Sequence, residues 1–176
     1  MRQWSERIEA WDEAASRRLR LTDRRGLLRS LAAFLAHSGD SWFWGLGLLA
    51  LIFWGPAPFW RSWALVQLSG IFFLAVLVMI LKFTFRRRRP QGDWGGIYRA
   101  TDPHSFPSGH AARAIFLALV SWFLGGPAWL SLLLTLWAPL VALARVAMGV
   151  HYLSDILGGL LFGLLLALGW VNALGM

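Results

Sequence analysis

Apolar residues in this chain come in long, nearly uncharged blocks, not at the alternating or one-faced spacing of a water-soluble fold. The blocks cover residues 42–60, 62–81, 110–124, 129–147 and 153–174. At about 1.5 Å per residue, 20 residues of helix reach ~30 Å, the thickness of a bilayer's hydrocarbon core. Each block predicts a helix, because backbone in lipid must satisfy its own N–H and C=O groups. The first block, "WFWGLGLLALIFWGPAPFW", has tryptophans at both ends, as an aromatic belt does. The second runs straight into Lys82, and "GGPA" at 125–128 turns the third into the fourth.

The pattern before residue 40 differs. Trp4, Ile8, Trp11 and Ala15 recur at helical spacing among Arg and Glu, which predicts an amphipathic helix on the membrane surface over 1–25. Residues 27–37, "LLRSLAAFLAH", are apolar but too short to span, and read as interfacial. Ser38-Gly39-Asp40 breaks the chain and can cap the first apolar block. The expected fold is all-α: an integral membrane helical bundle of about five transmembrane helices plus N-terminal interfacial amphipathic helices. Its expected parts are N-terminal helices at 1–38 and a membrane-embedded core at 39–176. The opening residues mix charges of both signs around no apolar centre. They do not read as a secretory signal peptide, so the first span would direct insertion.

Composition sharpens this picture. The chain has 176 residues, 57% hydrophobic and including 12 Trp, more apolar surface than a soluble domain of that size can hide. The absence of cysteine removes disulfides, thiolate metal sites and Cys nucleophiles. All the basic residues but Lys82 are arginine, and the net charge is +8. A nucleic-acid partner is disfavoured because these cations sit against apolar blocks. A bilayer containing anionic lipids fits them better.

If each block crosses once, the segments 82–110 and 145–152 lie on one membrane face. Beyond position 40, every Asp, Glu, Lys, Arg and His except Arg61 falls within 82–113 or 145–155. Charges beside a membrane core are costly and commonly functional. Two distant charged segments meeting at one face therefore suggest one site.

Three clusters carry the chemistry. Lys82 and Arg89, at the end of a span, are cations able to clamp a phosphate. In "HSFPSGHAAR" (104–113), Pro107 and Gly109 shape a turn and Ser108 can cap the helix that begins there. That helix start offers free N–H groups to an anion, with His110 in its first turn. In "RVAMGVHYLSD" (145–155), His151 and Asp155 stand four apart, so a helical carboxylate can hold the imidazole in one tautomer. No Ser-base pair stands out, and Asp93 and Asp102 are the other nearby acids. The set suits metal-free phosphoryl transfer: cations for charge, one His to attack phosphorus and one to protonate the leaving oxygen.

The order Lys82…Arg89-Pro90, then Pro107-Ser108-Gly109-His110, then Arg145…His151…Asp155 resembles the three-part signature of the type 2 phosphatidic acid phosphatase superfamily. The resemblance covers roughly residues 40–174. It implies that His151 is the nucleophile of a phosphohistidine, that Asp155 orients it, and that His110 is the general acid. Lys82, Arg89 and Arg145 would bind phosphate oxygens, with Ser108 and Gly109 adding a hydroxyl and a backbone N–H. No metal and no cofactor are implied. The third motif often begins Ser-Arg; here it begins Ala144-Arg145, which puts one hydroxyl contact in doubt.

The expected activity is thus hydrolysis of a lipid phosphomonoester or diphosphate, of the phosphatidic acid, phosphatidylglycerol phosphate or polyprenyl phosphate class. A lipid phosphotransferase using the same phosphohistidine and a non-catalytic anionic-lipid binder are the alternatives. A vanadate-dependent peroxidase is disfavoured, those relatives being larger and soluble. Arg86, Arg87 and Arg88 read as a solvated basic face. Arg99, Asp102 and His104 read as loop residues near the active turn, Arg113 as a partner of Asp102 or of substrate, and His37 as interfacial. The arginine-rich N-terminus places the site, by the positive-inside rule, at the cytoplasmic face of a bacterial inner membrane.

Overall fold

The computed structural model describes residues 2–22, 25–92 and 94–175, though not the side chains of residues 2–6, 8 and 97. The Trp4 and Ile8 side chains and Asp93 lie outside the described residues. Within them the chain forms α1 (Arg2–Arg18), α2 (Leu27–Ser38), α3 (Ser41–Trp54), α4 (Pro58–Phe85), α5 (Gly96–Thr101), α6 (Gly109–Phe123), α7 (Ala128–Ala147) and α8 (Leu153–Ala173).

The five apolar blocks become α3, α4, α6, α7 and α8, but unequally. Helices α4, α7 and α8 are long and apolar enough to cross a membrane. Helices α3 and α6 have 14 and 15 residues, a reach of only about 21–23 Å. The 42–60 block is cut short because the Gly55 N–H closes the last turn of α3 on Leu51, after which α4 restarts with Pro58 at its first position. Helix α4 exceeds its block: its 28 residues reach about 42 Å and carry the chain past Lys82 to Phe85.

Helix α6 is the hub. It packs against α7 and α8 on one side and α4 on another, while α3 leans on α4, α2 on α7 and α1 on α8. Leu74, Phe116, Leu117, Val120 and Leu134 form the shared core. The α6–α8 contact is close because α8 turns glycines toward it. A Cβ at Gly159 would lie 2.5 Å from the Ser108 carbonyl, and one at Gly163 would lie 2.2 Å from that of Ala112. In lipid, where helices gain little from hydrophobic association, such small-residue seams bring backbones together. Here the seam sets the start of α6 beside the start of α8, tied by a Ser108 N–H donating to the Asp155 carbonyl at 3.0 Å.

The outer surface is apolar. Phe72, Trp129, Leu132, Leu161 and Leu165 all point outward, as lipid-facing positions must. Helix α1 does the reverse of a soluble amphipathic helix: Asp12 and Ser16 are buried against the bundle while Trp11 is exposed.

Candidate active site

One end of the bundle gathers the starts of α3, α6 and α8, the ends of α4 and α7, and the loop that carries α5. His151 lies just before α8, after a turn in which Gly149 adopts φ 67°. It is 1% exposed. Its Nδ1 donates to Asp155 Oδ2 at 3.4 Å, and its Nε2 accepts from Arg89 Nη1 at 3.0 Å. Burial, along with the charges of Arg89, Arg145 and Lys82, pushes the imidazole well below its ordinary pKa. A neutral ring with its lone pair on Nε2 is the form a nucleophile requires.

Asp155 does several jobs at once. Its Oδ2 also accepts the Tyr152 N–H at 2.8 Å, closing the first turn of α8, and its Oδ1 accepts from Arg87 Nη1 at 2.7 Å. Arg87 in turn reaches Asp12 Oδ2 at 2.7 Å. Burial would pull the Arg87 pKa down, but the Asp155 and Asp12 carboxylates reverse this and hold it above its ordinary value. Arg87 is therefore not part of a solvated basic face, as its place in the arginine run predicts; Arg86 and Arg88 are exposed. Helix α1 also caps α8 from outside it. Asp12 Oδ1 accepts the Ser154 N–H at 3.0 Å and Ser16 Oγ accepts the Leu153 N–H at 2.9 Å, satisfying donors that a helix start leaves open.

The three cations of the motif are all buried: Lys82, Arg89 and Arg145. Asp102 bridges two of them. Its Oδ2 accepts from Lys82 Nζ and, at 2.7 Å, from Arg89 Nη2, while its carbonyl takes Arg89 Nε at 2.6 Å. Asp102 thus pairs with these residues and not with Arg113, which donates to the Gly39 carbonyl. Arg145 is 0% exposed and sits 4.1 Å over the Tyr98 ring. Its Nη1 donates to the Ala36 carbonyl at 3.3 Å, but among the described residues Nε and Nη2 meet no hydrogen-bond partner. Two buried guanidinium N–H edges left open are costly unless an anion uses them.

Ser108 caps α6 by accepting the Ala111 N–H at 3.4 Å, leaving the N–H groups of Gly109 and His110 at the open first turn. His110 Nε2 donates to Asp40 Oδ1 at 2.7 Å. Asp40 also accepts from Tyr98 Oη at 3.0 Å and from His37 Nδ1 at 3.1 Å. Burial would raise the Asp40 pKa, but the hydrogen bonds and charge from His110, with His37 and Tyr98, bring it below the usual carboxylate range. Burial raises that of Tyr98, which stays a phenol and a donor.

A cavity of about 610 Å³ opens beside these groups. Lys82, Asp102, His110 and Asp40 form its polar end; Leu74, Ala75, Val78 and Met79 of α4 and Trp42 of α3 form its apolar wall. Trp42 and Met79 are exposed on the outer surface, so the mouth lies between α3 and α4 where lipid would be. Arg89 and His151 lie behind this lining: Asp102, which lines the cavity, bonds Arg89, and Arg89 bonds His151. Among the described residues, no three His, Cys, Asp or Glu side chains are grouped as metal ligands would be.

Residues 63–176 match the model of the PAP2 superfamily. The chain belongs to the PAP2 superfamily. It is 34% identical over 144 residues, 81% of this chain and 78% of the relative, to the decaprenylphosphoryl-5-phosphoribose phosphatase of Mycobacterium tuberculosis. It is 30% identical over 140 residues to a probable lipid phosphate phosphatase beta of Arabidopsis thaliana, covering 64% of this chain and just under two thirds, 66%, of that one. Among solved structures, the transmembrane PAP2-type phosphatidylglycerolphosphate phosphatase of Bacillus subtilis superposes with a TM-score of 0.70 at 26% identity, over 96% of this chain and 86% of that one. As a PAP2 protein the chain is an integral-membrane phosphatase, a hydrolase of phosphoric ester bonds.

The candidate site residues Lys82, Arg89, Ser108, Gly109, His110, Arg145, His151 and Asp155 all come to this one end of the bundle. Three further residues escape a reading of the sequence: Asp12, Asp40 and His37. Each precedes the stretch matched by the PAP2 model, and each reads locally as an ordinary surface or capping residue. In the structure Asp12 and Asp40 are buried. His37 packs its ring 5.2 Å from Trp94 and 5.9 Å from Tyr98. The one signal available was the scarcity of acids beyond residue 30, which makes Asp40 notable.

Proposed function

We propose that this PAP2 protein hydrolyses the phosphomonoester or diphosphate of a membrane lipid through a phosphohistidine on His151, without a metal. The observation that carries the reading is Arg145: a fully buried guanidinium, two of whose nitrogens meet no partner among the described residues, and whose charge acts on both His110 and His151. In this reading the phosphate takes the place of the Asp102 carboxylate between Lys82 and Arg89 and completes the Arg145 fork. Its oxygens then draw Arg89 off His151 Nε2. Nε2 attacks phosphorus, the P–O bond to the lipid breaks, and His110 gives its proton to the departing oxygen. Water next attacks the phosphohistidine, losing its proton to His110, and the P–N bond breaks to release phosphate. Asp155 keeps the His151 Nδ1–H in place throughout.

A lipid suits the cavity because its apolar wall opens between α3 and α4 while its polar end holds Lys82 and His110. The names of the relatives (a phosphoribosylated decaprenyl phosphate, a phosphatidylglycerol phosphate, a lipid phosphate) support the class, and phosphatidic acid, phosphatidylglycerol phosphate and polyprenyl phosphates or diphosphates are its members to test. The positive-inside rule supports a site at the cytoplasmic face of a bacterial inner membrane. The test is phosphate release by detergent-purified protein in EDTA from each of these lipids, with His151→Ala beside wild type. Release that is lost in the variant supports the reading. Release that survives it overturns the phosphohistidine.

A further inference from the structure

Asp40 is the first residue before α3, the position at which an aspartate ordinarily caps its own helix. It makes no such side-chain bond. Its carboxylate instead points across to α6 and takes the Nε2–H of His110 at 2.7 Å. Forgoing a cap is unfavourable for the helix, so the local sequence does not explain this geometry.

The surroundings hold the carboxylate there. Tyr98 and His37 donate to its two oxygens at 3.0 and 3.1 Å. The preceding turn is pinned on several sides: buried Arg113 bonds the Gly39 carbonyl, Trp44 Nε1 bonds the Ser38 carbonyl at 3.0 Å, and Trp137 Nε1 bonds Ser38 Oγ at 2.9 Å. The turn also packs tightly against α6 and α7. A Cβ at Gly39 would lie 2.8 Å from Val141 Cγ1 and 3.1 Å from His110 Cδ2.

Electrostatics gives this pairing a purpose. Burial first, and with it the charges of Arg145 and Arg113, opposes a second proton on the His110 ring, and Asp40 is the carboxylate in contact that works against them. A general acid must carry that proton when the leaving oxygen needs it.

We propose that Asp40 is a positioning residue for His110, fixing Nε2–H so that Nδ1 faces the substrate and supporting the imidazolium that donates to the leaving group. The two histidines of the site then have parallel supports: Asp155, within the PAP2 signature, for the nucleophile, and Asp40, outside it, for the acid. The inference rests on the phosphatase reading above. In the chemical step Nδ1–H passes to the departing alkoxide and the electron pair stays on Nδ1; in hydrolysis the same nitrogen takes a proton from water.

Leaving-group dependence tests it. The probes are two phosphate monoesters with the same hydrocarbon tail, one leaving as an alkoxide, which needs a proton, and one as a nitrophenolate, which does not. Wild type, Asp40→Asn, Asp40→Ala, His110→Ala and His151→Ala are compared by kcat/KM, which covers the steps through loss of the leaving group. The Asp40 variants should lose on the order of 10²-fold on the alkyl ester and less than about threefold on the nitrophenyl ester, matching His110→Ala in kind. Adding Asp40→Asn to His110→Ala should cost little more on the alkyl ester, since the pair acts as a unit. Equal losses on both esters, or no loss on either, while His110→Ala is selective would overturn the role of Asp40 and leave the phosphatase reading intact. Wild type inactive on both esters, or His151→Ala undiminished, would overturn the phosphatase reading and this inference with it.

Discussion

Replacing Arg145 by alanine separates catalytic from structural work in this site. The guanidinium is completely buried and donates from Nη1 to Ala36, yet Nε and Nη2 meet no hydrogen-bond partner among the described residues. If these two N–H edges are the fork that grips phosphate, each charge-assisted bond contributes about 1.5–3 kcal/mol. Losing both removes about 3–6 kcal/mol, or roughly 10²- to 10⁴-fold in kcat/KM at about 1.4 kcal/mol per decade. Arg145→Lys keeps the charge without the planar fork and should recover only part of this. Stability should behave differently. Unsatisfied buried donors cost about 1–3 kcal/mol each, so deleting them offsets the loss of packing and of the contact over Tyr98. Arg145→Ala should therefore melt near the wild-type temperature when no anion is bound. Orthovanadate, an analogue of the phosphorus centre in transfer, should raise the melting temperature of wild type and not of the variant. The assays are phosphate release from phosphatidic acid in mixed micelles and thermal unfolding in detergent with and without vanadate. A kcat/KM within threefold of wild type, or vanadate protection that persists in Arg145→Ala, would refute the reasoning.

Two other outcomes are expected. Asp12→Ala breaks a part-buried pair with Arg87 and uncaps Ser154, which should destabilise the protein by on the order of 2 kcal/mol and lower kcat more than it raises KM, because the arginine bonded to Asp155 loses its second anchor. Thermal unfolding beside steady-state kinetics checks this, and an unchanged melting temperature would count against it. His151 should titrate below its ordinary range, because burial and then the charges of Arg89, Arg145 and Lys82 disfavour its proton. With the folded value below the unfolded one, near 6.5, the unfolded chain takes up the proton first, so this residue's share of stability is present above pH 6.5 and falls as pH drops toward the folded value. Ring-nitrogen NMR shifts, assigned with His151→Gln, give the midpoint. Lys82→Met should raise it, and a wild-type midpoint at or above 6.5 would be inconsistent with this environment.

The all-helical membrane architecture was legible in the chain because long uncharged blocks leave backbone no alternative in lipid. The candidate site residues and their meeting at one face were legible too. Their types and spacing reflect chemistry that must recur wherever phosphate is bound and transferred, and alternation of helix direction requires 82–110 and 145–152 to share a face. What the blocks did not show is where helices end. Gly55 and Pro58 shorten α3, and α4 continues to Phe85, since capping and neighbouring contacts act after hydropathy has been averaged. Nor did local pattern reveal which polar residues turn inward. Arg87 lies in a run of four arginines, yet alone among them meets Asp12 and Asp155. Asp40 reads as a helix cap until α6 places His110 beside it. Asp102 reads as a loop acid until it stands between Lys82 and Arg89. Each of these pairings joins residues far apart in the chain, and its energy depends on burial and on charges brought by other helices. The sequence determined which groups could do the chemistry; only the packing of α1, α3, α6 and α8 decided which carboxylate holds which histidine.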